Sequence, residues 1–341
     1  MSSPQEQDRA RGALYGLAIG DALGMPTQLL SREQIVDRWG PLLAGFEPAP
    51  PGHPVAAGMP AGAVTDDTEQ AVLLGRLLLS GRVDPRELAD RLIAWERDMT
   101  ARGSLDLLGP STRRAIDAVL AGTPPEEAGA SGDTNGAAMR IAPVGLAVSA
   151  FNLTALVDAV QEASLVTHNT SVALAGAAAV AAAVSTGVSG SGGGSAGSGA
   201  GRVATAVERA VEAAALGAER GHWVAGADVA ARIRWATDLV AGQPPERAAE
   251  AIYALVGTSL ATQESVPAAF AVLSAVPGDP WRACLLAASL GGDTDTIAAM
   301  AGAVAGACHG LSAFPPEAVS VIDGHGLGLR ELADSLLAMR A

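Results

Sequence analysis

Apolar positions along most of the chain recur at spacings of three and four residues, which is the pattern of helices that bury one face. In the segment 202–218, one side of a helix would carry only valine and alanine. The segment 84–100 has the same spacing and opens with Asp84 as a helix N-cap and Pro85 in the first turn. Strand-like alternation is nearly absent from the sequence. The pattern therefore predicts an all-α fold, a compact bundle of a dozen or more short helices.

Three segments depart from this amphipathic pattern. The segment 171–188 is almost entirely alanine and valine. Because alanine gains little in lipid and the run is shorter than a bilayer span of ~20 residues, we expect a buried core helix there. The segment 46–62 is rich in proline and glycine and predicts a loop, with His53 at a loop or surface position. The segment 187–201 predicts a Gly/Ser-rich flexible loop within a single domain that spans residues 1–341.

Composition narrows the classes of function. The chain has 341 residues, of which 49% are hydrophobic, enough to bury a large core. It carries 36 acidic and 22 basic side chains, a net charge of -14, and every basic residue is an arginine. The absence of lysine from the sequence excludes Schiff-base chemistry and the phosphate-binding lysine of P-loop proteins. Because the surface is acidic, we expect neither nucleic acid nor a membrane as a partner.

Two features of the sequence indicate the cellular compartment of the protein. Cys284 and Cys308 are too few and too far apart in sequence for a disulfide scaffold or a paired-cysteine metal site. The amino-terminal segment is polar and has no hydrophobic signal region. We therefore expect a cytoplasmic protein, while the sequence leaves the oligomeric state open.

Two clusters of threonine and aspartate each precede an apolar helix. They are 65–68 (Thr-Asp-Asp-Thr) and 291–296 (Gly-Gly-Asp-Thr-Asp-Thr). A well-capped helix explains one acid in a first turn, but it explains adjacent, mutually repelling carboxylates less well. If the clusters meet in the fold, four aspartates would repel strongly unless divalent cations lie between them. Carboxylate and hydroxyl oxygens suit magnesium, calcium or manganese far better than zinc.

Three other segments have both a structural and a functional interpretation. The segment 12–24 carries a glycine at every fourth position, which predicts close helix packing, and near Gly20 and Gly24 the backbone could also approach a site. In the segment 132–140, Asn-Gly is foremost a turn, but its backbone N–H groups could receive an anion. A lone histidine before a helix, such as His168, is more often a cap or a satisfied polar contact than a catalyst.

Taken together and in this order, these segments resemble the ADP-ribosylglycohydrolase family. The resemblance runs from about residue 9 to residue 310. The motifs that carry it are Gly20-Asp21-Ala22-Leu23-Gly24, Thr65-Asp66-Asp67-Thr68, Asn135-Gly136-Ala137-Ala138-Met139-Arg140, Thr167-His168 and Gly291-Gly292-Asp293-Thr294-Asp295-Thr296. It implies an all-α orthogonal bundle with two Mg²⁺ ions at its centre, or Mn²⁺ in their place. It also implies hydrolysis of the bond between ADP-ribose and an acceptor such as a protein arginine.

Carried over position by position, the resemblance assigns residues to the metal and to the substrate. The metal ligands would be Thr65, Asp66, Asp67, Asp293, Asp295 and Thr296. The substrate-binding residues would be Gln28, Asp133, Asn135, Gly136, Ala137, Met139, His168 and Gly292. The partner would be an ADP-ribosylated protein or a small-molecule ADP-ribosyl acceptor. Metal charge would explain how an acidic chain without lysine binds a dianionic substrate.

One position departs from the family pattern. Members usually have a glutamate a few residues after the Gly-Asp-Ala-Leu-Gly motif, whereas this chain has Gln28. An amide cannot serve as a base, so Asp66 or Asp67 would be the catalytic residue that activates water, with Asp133 as a further candidate. Two alternatives remain: a glycosidase acting on another nucleoside or nucleotide-sugar, and a non-catalytic protein that binds ADP-ribose and metal.

Overall fold

The computed structural model describes residues 2–101, 108–189 and 198–340 of the protein. Within these ranges the chain forms eighteen α-helices, and its β pairing is limited to two isolated bridges. The helices are α1 (Pro4–Gly24), α2 (Arg32–Trp39), α3 (Asp66–Leu78), α4 (Pro85–Ala101), α5 (Pro110–Leu120), α6 (Pro125–Ala128), α7 (Gly136–Arg140), α8 (Ala142–Ala147), α9 (Leu153–His168), α10 (Ser171–Ser189), α11 (Gly199–Gly217), α12 (Val229–Val240), α13 (Pro245–Ala251), α14 (Thr262–Ala275), α15 (Pro280–Ala288), α16 (Thr294–His309), α17 (Pro316–Asp323) and α18 (Leu329–Ala338). The all-α prediction is confirmed.

Helices α1 and α16 lie in close contact along their length. The glycines of α1 allow this, because a Cβ atom at Gly16 would lie 2.1 Å from a backbone carbonyl oxygen of α16, and one at Gly20 would lie 2.0 Å from another. At the end of α1, a Cβ atom at Gly24 would lie 2.3 Å from the Cα of Asp295. Such distances leave no room for a side chain. The predicted close packing is confirmed, and it sets Asp295 against the end of α1.

Helix α10 packs beside α16 and α11 and is buried on nearly all sides. It is the one helix in the described residues that is long and apolar enough to cross a membrane, and 94% of its apolar stretch is buried inside the protein. A membrane-spanning helix would present these residues to lipid instead. The prediction of a buried core helix is confirmed.

Helix starts agree with the caps expected from the sequence. Helix α4 begins at Pro85, and the carboxylate of Asp84 accepts from the N–H of Glu87 at 2.9 Å. Helix α3 begins directly after Thr65, its N-cap. The segment 46–62 contains turns and no helix, as predicted.

The helices extend further into the Gly/Ser-rich segment than predicted. Residues 187–189 belong to α10 and residues 199–201 belong to α11, so these parts of the expected loop are helical. The hydroxyl of Ser198 caps α11 by accepting from the N–H of Gly201 at 3.1 Å, which compensates for glycine in the first turn. The rest of the predicted loop, 190–197, lies outside the described residues.

Candidate active site

The starts of α3 and α16 meet at one cavity of about 250 Å³. The hydroxyl of Thr296 donates to Oδ2 of Asp67 at 3.3 Å, so the two Thr/Asp clusters are direct neighbours in the fold. The described residues that line the cavity are Gln28, Leu29, Val55, Asp66, Asp67, Leu108, Gly109, Pro110, Thr112, Thr134, Asn135, Gly136, Met139, Leu260, Asp293, Asp295 and Thr296. The four aspartates that the sequence singled out therefore share one site.

The first turn of α3 is held by a carboxylate from α1. Asp21 is fully buried and accepts hydrogen bonds from the backbone N–H and the hydroxyl of both Thr65 and Thr68. The Thr65 N–H lies 2.9 Å from Oδ2 of Asp21, and its hydroxyl lies 2.7 Å from Oδ1. These bonds fix the turn that carries Asp66 and Asp67. The sequence pattern does not predict this role of Asp21, because its partners are more than forty positions away.

The first turn of α16 is held mainly by backbone. Gly291 and Gly292 have φ angles of +92° and +81°, which residues with a Cβ atom rarely adopt. A Cβ atom at Gly292 would also lie 2.3 Å from the carbonyl oxygen of Thr258, and this oxygen accepts from the N–H of Asp293 at 2.7 Å. Side chains add to this restraint: Nδ2 of Asn135 donates to Oδ2 of Asp293 at 2.5 Å, and the hydroxyl of Thr294 donates to the carbonyl oxygen of Gly24 at 3.2 Å. The glycines therefore turn the chain so that Asp293 enters the cavity.

The carboxylates around the cavity are buried close to one another. Burial raises the pKa of Asp67 well above its usual range, and the charges of Asp295, Asp66, Asp21 and Asp293 raise it further. Burial also raises the pKa of Asp293 to about 6 and that of Asp21 to about 6, although hydrogen bonds to both carboxylates act in the opposite direction. This group of acids is therefore held together against electrostatic repulsion.

The predicted ligands fit a hard cation in their chemistry. They supply only carboxylate and hydroxyl oxygens, and Oδ1 of Asp67 is buried without a hydrogen-bond partner among the described residues. Cations held among these oxygens would offset the repulsion. No three acidic, histidine or cysteine side chains in the described ranges are already grouped closely enough to hold one ion.

Gln28, the position that departs from the family pattern, lines the same cavity. Its side chain is buried, and Nε2 has no hydrogen-bond partner in the part of the chain that the structure describes. Leu29 follows with a left-handed φ of +60°, and its N–H donates to the carbonyl oxygen of Gly292 at 2.7 Å. A strained conformation of a non-glycine residue beside a cavity is typical of functional sites. The amide of Gln28 is therefore an unpaired hydrogen-bond donor at the cavity.

His53 supports this turn and was not recognised from the sequence. We expected a loop or surface side chain, but the residue is 4% exposed. Its Nδ1 accepts from the N–H groups of Val55 and Ala56, at 3.3 and 2.9 Å, so the ring hydrogen is on Nε2 and is donated to the carbonyl oxygen of Gln28 at 2.8 Å. Burial lowers the pKa of His53, which favours this neutral form. A proline- and glycine-rich segment gives no signal of such burial.

Four of the predicted substrate-binding residues line the cavity, namely Gln28, Asn135, Gly136 and Met139. The backbone N–H of Asn135 donates to the carbonyl oxygen of Leu260 at 3.0 Å, so this N–H is not available to an anion. At Gly136, a Cβ atom would lie 2.8 Å from Cε1 of His168, so packing against the ring requires glycine there. The Asn-Gly pair is therefore held by packing and by hydrogen bonds within the protein.

Five predicted site residues lie outside the cavity lining, namely Thr65, Asp133, Ala137, His168 and Gly292. The side chain of Asp133 is 57% exposed and lies 3.6 Å from Arg114. His168 is fully buried, and the hydroxyl of Thr65 is turned to Asp21. Contact of these residues with metal or substrate stays a prediction.

Two buried residues behind the cavity carry polar bonds that the sequence did not reveal. Nε2 of Gln70 donates to Oδ2 of Asp66 at 2.8 Å, and the guanidinium of Arg140 donates to Oε1 of Gln70 at 2.9 Å. Burial lowers the pKa of Arg140 to about 10, and the charge of Asp66 opposes this, so the guanidinium is charged at neutral pH. A buried cation is unfavourable unless acids nearby compensate it. The spacing of Gln70 one turn after Asp66 was the signal that could have found this pair.

Comparison with known proteins shows the family of this chain. The family model of the ADP-ribosylglycohydrolases matches residues 2–341. The chain belongs to the ADP-ribosylglycohydrolase family. Membership places this chain among glycohydrolases and confirms the resemblance that the five motifs indicated.

Relatives of this ADP-ribosylglycohydrolase-family protein cover most of its length. The uncharacterized Escherichia coli protein YegU is 35% identical over 319 residues, which is 93% of this chain and 92% of the relative. The ADP-ribosylarginine hydrolase of Pseudomonas putida is 29% identical, over 94% of this chain and 76% of the relative. A solved structure of an ADP-ribosylglycohydrolase-related protein complex is 26% identical with a TM-score of 0.69, over 99% of each chain. The predicted family fold is confirmed.

Proposed function

We propose that this protein hydrolyses the glycosidic bond between ADP-ribose and an acceptor such as a protein arginine, and that it requires Mg²⁺. The observation that carries the proposal is the meeting of four buried aspartates, Asp66, Asp67, Asp293 and Asp295, at one cavity. Bound cations would offset the repulsion among these buried carboxylates. The name of the Pseudomonas putida relative supports arginine as the acceptor.

Two Mg²⁺ ions would be held by oxygen ligands from α3 and α16, and Mn²⁺ would suit the same ligands. These ligands are Thr65, Asp66, Asp67, Asp293, Asp295 and Thr296. When bound, the ions would supply positive charge that stabilises negative charge on oxygen during the reaction. Asp21 accepts from Thr65, whereas Gln70 and Asn135 donate to ligand carboxylates. These three residues would support the ligands from behind, as outer residues do in metal sites.

Within the cavity, Asp67 is the carboxylate best placed to take a proton from water. Asp66 already accepts from Gln70, whereas Oδ1 of Asp67 is buried without a hydrogen-bond partner in the described chain. The transition state of glycoside hydrolysis carries positive charge on the sugar ring, which the surrounding carboxylates stabilise. Gln28 cannot take a proton, but its Nε2 can donate a hydrogen bond to a substrate oxygen.

The direct test is release of ADP-ribose from ADP-ribosyl-arginine by the purified protein, with Mg²⁺ or with EDTA. We expect release only with Mg²⁺, and its loss in Asp66→Ala and Asp295→Ala. Full activity of either variant, or of the wild type without metal, would contradict the proposal. Release from an oxygen-linked acceptor but not from arginine would correct the acceptor and keep the reaction.

A second function is favoured by one observation, the amide of Gln28 at a position where the family usually has a carboxylate. A protein of this kind would bind ADP-ribose and metal without turnover. Calorimetry separates the two functions, because tight binding of ADP-ribose together with no hydrolysis of several acceptors would assign this chain to binding proteins. All the predicted metal ligands are present in the sequence, which favours the enzyme over the binding protein.

A further inference from the structure

A line of polar side chains connects Arg140 to the wall of the cavity. The guanidinium of Arg140 donates to Oγ1 of Thr167 at 2.5 Å. The same Oγ1 lies 2.8 Å from Nδ1 of His168, and Nε2 of His168 lies 3.1 Å from Oγ1 of Thr134. The first three residues are fully buried, whereas Thr134 lines the cavity. The line therefore runs from a buried cation to the ligand site.

The hydrogen atoms along this line point towards the cavity. Arginine only donates, so the oxygen of Thr167 accepts from Arg140. The single hydroxyl hydrogen of Thr167 then has one acceptor within reach among the described residues, Nδ1 of His168. If Nδ1 carried a hydrogen instead, the hydroxyl donor of Thr167 would be buried without an acceptor, which is strongly unfavourable. His168 therefore carries its hydrogen on Nε2 and donates it to Thr134.

Two observations support this state of His168. Burial lowers the pKa of His168 well below its usual range, and the charges of Arg140 and Arg114 lower it further, so the ring is neutral and one nitrogen is an acceptor. The ring is also held in place, because Gly136 packs so closely that a Cβ atom there would lie 3.0 Å from Nε2. The orientation of the ring is therefore set by packing, and its tautomer is set by Thr167.

Thr134 ends the line with a hydrogen to donate. Its oxygen accepts from His168, and no described residue accepts its hydroxyl hydrogen. None of the described residues that line the cavity is basic, so an anionic group there would be recognised by metal charge and by neutral donors. Hydrogen bonds in series polarise one another, and this series begins at a cation, so the Thr134 hydroxyl is a strengthened donor.

We propose that the hydroxyl of Thr134 donates to a phosphate oxygen of the bound nucleotide, and that Arg140 is the positioning residue that directs this hydrogen into the cavity. The inference rests on the proposed function in taking ADP-ribose as the ligand. The same guanidinium reaches Asp66 through Gln70. One buried cation thus supports both the phosphate side and the carboxylate side of the cavity.

Calorimetry with ADP-ribose in the presence of Mg²⁺ tests the Thr134 contact. We expect Thr134→Val to weaken binding at least about tenfold, because hydrogen bonds to charged groups have large effects, and Thr134→Ser to restore most of the affinity. Thr112→Val removes another hydroxyl from the cavity wall, outside the line, and we expect a clearly smaller loss. The ³¹P spectrum of bound ADP-ribose should also differ between wild type and Thr134→Val. Equal losses in the two valine variants, or an unchanged ³¹P spectrum, would overturn the proposal.

The ¹⁵N spectrum of the histidine side chains tests the direction of the line without any substrate. We expect His168 as the neutral Nε2–H tautomer in the wild type. Thr167→Val should change its resonances, and Thr167→Ser should restore both the resonances and the affinity for ADP-ribose. An Nδ1–H tautomer in the wild type would overturn the proposal even if Thr167→Val fails to fold.

These measurements separate the two proposals. A wild-type protein that neither binds nor releases ADP-ribose would overturn the proposed function and the Thr134 contact together. Hydrolysis by the wild type combined with unchanged ADP-ribose affinity in Thr134→Val would overturn the Thr134 contact alone.

Discussion

The starts of α3 and α16 carry the same residue types, threonine and aspartate before an apolar helix, but the protein holds them in different ways. The start of α3 is held by side chains, since Asp21 accepts from Thr65 and Thr68 and Gln70 donates to Asp66. The start of α16 is held mainly by backbone, through two glycines with positive φ and the carbonyl oxygen of Thr258. Side-chain bonds of Asn135 and Thr294 add to it.

This difference shows how one chemical pattern can be positioned by two kinds of restraint. Side-chain restraints can be removed one at a time by substitution. Backbone restraints fail when a Cβ atom is added where none fits. Substitutions at the two starts should therefore separate loss of chemistry from loss of position.

The largest effect is expected where the two starts meet, at Asp67. Asp67→Asn should lower hydrolysis on the order of 1000-fold, because it removes the proposed base and a metal ligand. In EDTA the same variant should unfold about 2 °C higher than the wild type, since it removes a repelled carboxylate. Activity assays and thermal unfolding measure both effects. Asp90→Asn, on the exposed face of α4, is the matched control, and wild-type hydrolysis by Asp67→Asn would contradict the assignment.

The next largest effect is expected when the side chains that hold the two helix starts are substituted. Gln70→Met removes the donor to Asp66, and Asn135→Leu removes the donor to Asp293. Each should lower the affinity for Mg²⁺ by about 10–100-fold, as measured by calorimetry. Gln70→Met should also lower the unfolding temperature through Arg140, which loses an acceptor. Unchanged Mg²⁺ affinity in both variants would show that these donors do not support a metal site.

A smaller effect concerns the position of α16. Gly24→Ala places a Cβ atom 2.3 Å from the Cα of Asp295, so α1 and α16 must separate. We expect a loss of about 1–3 kcal/mol in the free energy of unfolding, measured with urea, together with reduced hydrolysis. Gly278→Ala is the control, because a Cβ atom there meets nothing within 4 Å. Equal stabilities of the two variants would refute the close packing at Gly24.

The smallest effect is expected at Gln28, which lines the cavity where α3 and α16 begin. Gln28→Glu places a carboxylate where the family usually has one, and we expect kcat to rise by about tenfold if proton transfer limits the rate. Gln34→Glu, on the exposed face of α2, is the control for added charge. Turnover by Gln28→Glu combined with none by the wild type would instead identify the natural chain as a binding protein.

Most of the helices and the grouping of the aspartates could be predicted from the sequence. Helices follow from apolar spacing and caps that act within one or two turns, so Asp84 and Thr65 marked their starts correctly. The boundaries near Ser189 and Gly199 were wrong, because packing on neighbouring helices and the Ser198 cap outweigh the low helix propensity of glycine.

The supports of the site could not be predicted in the same way. Asp21, His53 and Arg140 each act on residues that are distant in sequence, and no spacing marks such pairs. The same limit applies to His168, which the resemblance assigned to the substrate. In the structure it is fully buried, with Thr134 between its Nε2 and the cavity.

The sequence by itself determined the helical class, the close glycine packing of the first helix and the acidic, lysine-free chemistry, because these depend on composition and on contacts along one helix. Only the tertiary structure decided which acids face one another and which are turned away. It also decided that the buried Arg140 donates its hydrogen bonds to Gln70 and Thr167. The physical reason is that burial and repulsion depend on distances between helices, and those distances are fixed when α1, α3, α7 and α16 pack together.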